Sequence, residues 1–185
     1  MIKKIFDFTV SLLGLIILSP ILILISILIK LDSPGPVFYR GERIGLNGKK
    51  FKILKFRTMV HNAERIGASS TSEEDPRITN IGKFLRKYKL DEFPQLINVL
   101  IGDMSFVGPR PEVKKFVDLY TEEEKRILKV KPGITDWASL KFDNEGEIIK
   151  KSGIKDYDEA YAKLIRPEKL KLQLKYVDNH NFWID

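Results

Sequence analysis

The stretch LDEFPQLINVLIGDMSFVGPRPE, residues 90–112, carries the side chains best suited to chemistry. Asp91 and Glu92 are adjacent carboxylates, followed shortly by Pro94. Proline is tolerated in the first turn of a helix, where its missing N–H is no loss. A helix carrying Leu96, Ile97, Val99 and Leu100 is therefore expected to begin near Asp91. The dipole and unpaired N–H groups of such a terminus favour an ionised Asp91, available as a nucleophile or metal ligand. Two adjacent carboxylates also suit Mg²⁺, which takes one or two protein carboxylates and completes its shell with water and substrate phosphate oxygens. Taken alone, the pair reads equally as an acidic helix cap, a common use of aspartate.

Gly108-Pro109-Arg110-Pro111 lies downstream, and Pro109 and Pro111 stiffen the backbone around Arg110. A guanidinium held this way is a good bidentate partner for phosphate, and a structural turn ahead of a helix begun by Pro111 accounts for the spacing as well. Lys55 and Arg57 add cations on a predicted strand, suited to substrate phosphate or to lipid headgroups. The chain has no cysteine, and its two histidines, His61 and His180, lie far apart, so any metal must be held by oxygen ligands.

The elements that position these residues begin with an apolar run over residues 5–29, interrupted by one charge, Asp7, and bounded by Lys3, Lys4 and Lys30. Its length suffices to span a bilayer. It is too long for a signal peptide and no small-x-small cleavage site follows, so it is expected to stay in the mature protein. One reading is a transmembrane anchor. The other starts from Ser19-Pro20, where proline removes a donor and should kink or break the helix. That leaves arms of 15 and 10 residues, about 22 and 15 Å long against a hydrocarbon core of about 30 Å. Cations flank both ends, so a helix that enters, bends and returns to the cytoplasmic face satisfies the positive-inside tendency, and this re-entrant reading is favoured.

Beyond residue 31, about 154 residues suffice for one globular domain, giving a membrane-embedded segment over 1–31 and a cytoplasmic domain over 32–185. VFYR and KKFKILKFRTMV read as strands of a hairpin turning at Gly45-Leu46-Asn47-Gly48. Residues 61–75 read as a mobile surface loop. From Ile81, an amphipathic pattern sets Ile81, Phe84, Leu85 and Tyr88 against Lys83, Arg86 and Lys87. That helix lies either at a membrane surface or against the core. Helices are expected over 111–129 and 156–176, with a short extended piece near Lys141. The fold class is a helix-rich α/β domain with an N-terminal re-entrant membrane helix and amphipathic surface helices.

The formal charge of +7 suits nucleic acid, anionic lipid or phosphate-bearing substrates. The apolar segment decides for the membrane, and without a recognisable nucleic-acid motif no nucleic-acid partner is expected. A membrane-anchored basic module binding anionic lipid or nucleic acid is the rival to an enzyme.

These features resemble those of the monotopic phosphoglycosyl transferases, the bacterial sugar transferase family. The matching residues run through Phe6-Asp7, Ser19-Pro20, Phe38, Arg43, Gly45, Gly48-Lys49, Phe51 and Lys55-Phe56-Arg57-Thr58-Met59. They continue with Asp75, Arg77, Thr79, Gly82, Arg86, Leu90-Asp91-Glu92, Pro94-Gln95-Leu96 and Asn98-Val99-Leu100. The last blocks are Gly102-Asp103-Met104-Ser105, Val107-Gly108-Pro109-Arg110-Pro111-Glu112 and Lys131-Pro132-Gly133-Ile134-Thr135.

The resemblance implies a re-entrant membrane helix, Mg²⁺ dependence and a covalent intermediate. The implied activity moves a sugar 1-phosphate from a UDP-sugar to polyprenol (undecaprenyl) phosphate at the cytoplasmic face of the bacterial inner membrane. Asp91 would be the nucleophile, with Glu92 orienting the site or helping to hold Mg²⁺, and Arg110 neutralising charge on the transferring group. A transferase that moves only the sugar and releases the nucleoside diphosphate is the rival reaction. The sequence leaves self-association into a homo-oligomer, and the identity of the sugar, open. The chain departs from the family pattern at Gly41, where Gln is usual before Glu42-Arg43, and in reading PGITDWAS, with Asp136 and Ser139, where PGITGWAQ is usual. It also stops at Phe182-Trp183-Ile184-Asp185, where relatives usually continue.

Overall fold

The computed structural model describes residues 2–63, 75–154, 156–181 and 185. Most of the stretch expected to form a mobile loop, residues 64–74, lies outside them.

Helix α1 (Ile2–Asp32) is one uninterrupted element of 31 residues, about 46 Å long at helical rise. Of the kink or break expected at Ser19-Pro20, the break does not occur. Pro20 leaves the carbonyl of Ile16 without its amide donor, and the Ser19 hydroxyl donates to that carbonyl at 2.8 Å instead. The buried residues Asp7, Ser11, Ile25 and Ile29 recur at helical spacing and form one stripe facing the rest of the protein. Ile5, Phe8, Leu13, Ile17, Ile23, Leu24 and Ile27 stay exposed around the other faces. Among the described residues, α1 is the one helix long and apolar enough to cross a membrane.

The expected hairpin is present. Strands β1 (Phe38–Ile44) and β2 (Lys50–Phe56) pair antiparallel from Phe38–Phe56 to Ile44–Lys50. The connecting turn puts Asn47 and Gly48 at φ 55° and 75°, a region asparagine and glycine enter at low cost. Helix α2 (Asn80–Lys87) is capped by the Thr79 hydroxyl, which accepts from the Gly82 amide. Its predicted apolar face is divided: Leu85 is buried with Ile25, Ile29 and Phe56, and Ile81 packs beside them. Phe84 and Tyr88 are exposed and touch each other, ring centroids 4.8 Å apart.

A 3₁₀ turn over Leu90–Glu92 leads into helix α3 (Gln95–Ile101), for which Pro94 is the N-cap. The regular helix thus starts later than expected, and Asp91 sits in the turn before it. Val99 of α3 packs with Ile53 and Met104. Helix α3 also closes one edge of β2: the Asn98 side chain accepts from the Leu54 amide at 2.8 Å and donates to the Lys52 carbonyl at 2.9 Å. An amide side chain stands where a third strand would, satisfying both backbone groups.

Strands β3 (Ser105–Val107) and β4 (Gly133–Thr135) form a parallel pair with no counterpart in the sequence reading. Their approach is close enough that a Cβ on Gly133 would lie 2.2 Å from the Gly108 nitrogen, so both positions need glycine. The single helix expected over 111–129 is instead α4 (Lys114–Val117) and a 3₁₀ segment over Glu124–Lys129. The residues near Lys141 are not extended but form α5 (Trp137–Lys141), followed by α6 (Glu145–Ser152), which the sequence reading lacks. The helix expected over 156–176 is two, α7 (Tyr157–Leu164) and α8 (Arg166–Asn179), because Pro167 starts a new helix. Helices α6 and α7 share a cluster around Ile149, Ala160 and Ile165, and Leu170 of α8 packs with Tyr120 and Ile127.

Replacing Asn98 by Ala removes the partner of the partly buried Leu54 amide and Lys52 carbonyl, at a cost of about 1 kcal/mol for each lost hydrogen bond. Asn98→Asp should recover part of the loss, since a carboxylate still accepts from Leu54 but cannot donate to Lys52. Melting midpoints of the detergent-solubilised variants should rank wild type, then Asp, then Ala.

Candidate active site

Three segments far apart in the chain meet at Glu92. Lys55 lies on the face of β2 that also carries Ile53, whose side chain packs against α3, and its ammonium donates to Glu92 Oε1 at 2.8 Å. Arg110 comes from the loop after β3. The Gly133 amide donates to the Pro109 carbonyl, and Pro111 follows, so the segment is tied down at Arg110. Arg110 reaches Glu92 with both terminal nitrogens, Nη1 to Oε2 at 3.2 Å and Nη2 to Oε1, and Nη1 also donates to the Ile134 carbonyl at 3.2 Å. Burial alone would raise the Glu92 pKa, but Lys55 and Arg110 together hold its carboxyl well below the usual range. Burial and the Arg110 charge leave Lys55 with a lowered pKa despite its acidic neighbours.

Asp91 is treated differently. It is 9% exposed and lines a cleft of about 780 Å³. Burial raises its pKa, Lys55 opposes the rise and Glu92 adds to it, and no other side chain is hydrogen-bonded to its carboxylate among the described residues. The helix-terminus argument from sequence predicts the reverse direction. It fails because α3 is short and starts beyond Asp91, so desolvation outweighs any dipole.

The cleft wall is cationic, with Arg40, Arg43, Lys55, Arg57, Arg77 and Arg86 around Asp91. Not all of these cations face a ligand. The Arg57 guanidinium is spent on backbone carbonyls, Nη2 donating to Ser33 at 2.7 Å and to Ile29 at 3.4 Å, and Nη1 donating at close range to Pro34. It therefore closes the C-terminal end of α1, where carbonyls lack helical partners. The sequence reading offers Arg57 to substrate phosphate or lipid headgroups; its terminal nitrogens are engaged by these carbonyls while the residue still lines the cleft. Arg110, Pro109 and Pro111 do not line the cleft, and the Arg110 fork is engaged by Glu92, so Arg110 stands behind the carboxylates. Arg86 takes the place left open: its Nε donates to the Thr58 hydroxyl at 2.9 Å and its charge acts on Asp91. Its position on the basic face of α2 suggests a charge at a membrane surface or in solvent, and nothing local in the sequence points it inward.

All 185 residues match the profile of a known family, described as bacterial sugar transferase. The chain belongs to that family. It is 35% identical over its whole length to the UDP-N-acetylgalactosamine-undecaprenyl-phosphate N-acetylgalactosaminephosphotransferase of Aeromonas hydrophila, of which it covers 41%. It is 36% identical, again over its whole length, to the UDP-glucose:undecaprenyl-phosphate glucose-1-phosphate transferase of Escherichia coli strain K12, covering 38% of that protein. The uncharacterized sugar transferase EpsL of Bacillus subtilis strain 168 is 36% identical over the full chain, which covers 81% of it. The chain thus spans about two fifths of the first two relatives and about four fifths of the third.

The donors around Asp91 show what kind of divalent cation site this protein could form. Both Glu92 oxygens are paired with Lys55 and Arg110, whereas Asp91 opens on the cleft. No group of three or more histidines and carboxylates stands together among the described residues. The donor set fits an ion held through Asp91 with substrate phosphates and water completing the shell, the habit of Mg²⁺. It does not fit a closed protein cage, and Glu92 could join only by giving up a cation.

Glu92→Gln removes the charge that balances Lys55 and Arg110, and breaking such a buried pair costs about 3–5 kcal/mol. The Glu92 pKa is depressed on folding, so its contribution is present above the ordinary glutamate value of 4.5 and is lost as pH falls below it. The melting-point gap between wild type and Glu92→Gln should therefore be widest near pH 7 and narrow on acidification below 4.5. A gap independent of pH would mean that Glu92 acts through packing alone.

Proposed function

We propose that the protein transfers a sugar 1-phosphate from a UDP-sugar to undecaprenyl phosphate through a covalent intermediate on Asp91. The observation that carries this reading is the contrast between the two carboxylates: Glu92 is neutralised by two cations, while Asp91 is left unpaired on the wall of a cationic cleft. A buried carboxylate with no side-chain hydrogen-bond donor is poorly stabilised and correspondingly basic, which suits attack on phosphorus.

In the first displacement an Asp91 oxygen bonds to the sugar-bearing phosphorus, the bond to the nucleoside phosphate breaks, and UMP leaves with the electron pair. In the second, a phosphate oxygen of undecaprenyl phosphate attacks the same phosphorus and Asp91 departs as a carboxylate. Lys55 and Arg86 flank the carboxylate and meet charge on the transferring phosphoryl group. Bound Mg²⁺ would neutralise diphosphate oxygens and favour nucleotide departure. Glu92 keeps Lys55 aimed at the cleft, and Arg110 keeps Glu92 ionised.

The apolar helix associates the protein with a membrane. Its re-entrant disposition at the cytoplasmic face of the inner membrane is part of this proposal. Support comes from both ends of α1 packing on the globular part: Asp7 accepts from the Ser105 hydroxyl at 2.8 Å, and Ile29 packs with Phe56 and Leu85. A helix standing straight across the bilayer would carry Asp7 away from Ser105 toward the far side. The flanking lysines favour leaving both ends on one face.

With UDP-sugar and Mg²⁺ but no lipid acceptor, intact-protein mass spectrometry should find a sugar-phosphate adduct on Asp91, and Asp91→Asn should lose both the adduct and UMP release. Substantial turnover by pure Asp91→Asn would replace the covalent route with direct transfer, and UDP as the sole nucleotide product would refute the reaction class.

Tags at residue 1 and at residue 185 should both resist a membrane-impermeant label applied from the periplasm. Ready labelling of the N-terminal tag would make α1 an ordinary anchor.

A further inference from the structure

Asp136 and Ser139 lie together behind Arg110, with the Asp136 carboxylate at the centre of a hydrogen-bonded cluster. Asp136 is 2% exposed. Its Oδ1 accepts from the Ser139 amide at 2.6 Å, capping α5. Its Oδ2 accepts from the Arg110 amide at 3.1 Å and from Gln173 Nε2 at 3.0 Å. Gln173, on α8 and 1% exposed, also donates to the Arg110 carbonyl at 3.5 Å. Both backbone groups of Arg110 are thus gripped, one by Asp136 and the other by Gln173. One turn further along α8, the Tyr176 hydroxyl donates to the Val107 carbonyl at 3.1 Å, so α8 holds the same loop at two points.

Arg110 has to be fixed at its backbone because its side chain must deliver two parallel bonds to Glu92 and one to Ile134. A bidentate pair tolerates little displacement of either partner. A glycine at 136 could supply no carboxylate here. In this chain the acidic side chain accepts from three donors at once, the Ser139 and Arg110 amides and Gln173 Nε2.

We propose that Asp136 and Gln173 are positioning residues for Arg110, through which helix α8 sets the geometry of the carboxylate site. The kinetic part of this proposal rests on the reaction proposed above. The structural part does not.

The test is Asp136→Asn, alone and combined with Arg110→Ala. An amide can accept at one end only, so either the α5 cap or the Arg110 grip meets a second N–H donor. Turnover measured as UMP release should fall about 10- to 100-fold, the scale of a misplacement near 1 Å, with kcat carrying the loss and the KM for UDP-sugar nearly unchanged. In the Arg110→Ala background the same change should cost less than about threefold, because a side chain that is gone cannot be misplaced. Hydrogen exchange followed by mass spectrometry should show faster exchange in residues 106–112 with the β1–β2 hairpin unaffected.

Gln173→Leu removes the donor while leaving the α5 cap, and it should reproduce the exchange change and the kcat loss. It supplies the test if Asp136→Asn does not fold. Multiplicative losses in the double variant, or unchanged exchange over 106–112, would overturn the proposal, as would exchange raised uniformly across the protein. If the wild type releases no UMP, the proposed reaction fails, and the exchange experiment still decides whether Asp136 and Gln173 hold Arg110.

Discussion

The Glu92 carboxylate and the two cations that share it tie the site together. Lys55 arrives on a strand, Glu92 on a 3₁₀ turn and Arg110 on a loop after a different strand, and no backbone hydrogen bond directly links the three residues. Removing Glu92 leaves two cations side by side without their counter-charge, whereas removing either cation leaves the other still paired with Glu92. The arrangement also divides labour between neighbours in sequence. Because Glu92 absorbs the positive charge, Asp91 is left with desolvation as its dominant influence. Two carboxylates one residue apart end up in different electrostatic environments, and this difference, more than the number of acids, gives the cleft its chemistry.

The sequence disclosed the elements whose signal is local. The apolar run, the hairpin with its Asn-Gly turn, the Thr79-capped α2 and the Asp91-Glu92 pair are all written in consecutive residues. The parallel β3–β4 pair was not legible, because each strand is three residues long and its partner lies some 28 positions away. Residues 111–129 looked like one helix on periodicity, and the breaks at Val117 and Lys129 leave no strong mark in composition.

The roles of the cations were the least legible part of the site. Arg57, Arg86 and Arg110 are chemically identical, yet one caps a helix end, one faces the cleft and one buttresses Glu92. Which role each takes depends on the acceptors folding brings near, and these are carbonyls and carboxylates from remote segments. Arg57 also joins the membrane helix to the site. It lies one residue beyond β2, two from Lys55, and its guanidinium holds the last carbonyls of α1 and the turn after it. A shift of the helix end is thereby transmitted to the strand that carries a cation of the cleft.

Asp7 bears on the order in which the protein can be built. It is the one acidic residue in the apolar run, and its acceptor oxygens are satisfied by the Ser105 hydroxyl and the Phe106 amide, 98 and 99 positions later. A ribosome has therefore added about a hundred residues after Asp7 before that carboxylate finds its donors. During that interval the nascent helix is greasy enough to seek lipid but carries a charge that lipid will not solvate. Deep burial of its first two turns has to wait until the β3 segment has emerged and folded against them. The apolar helix precedes β3 in sequence, but the globular part supplies the groups that let it settle.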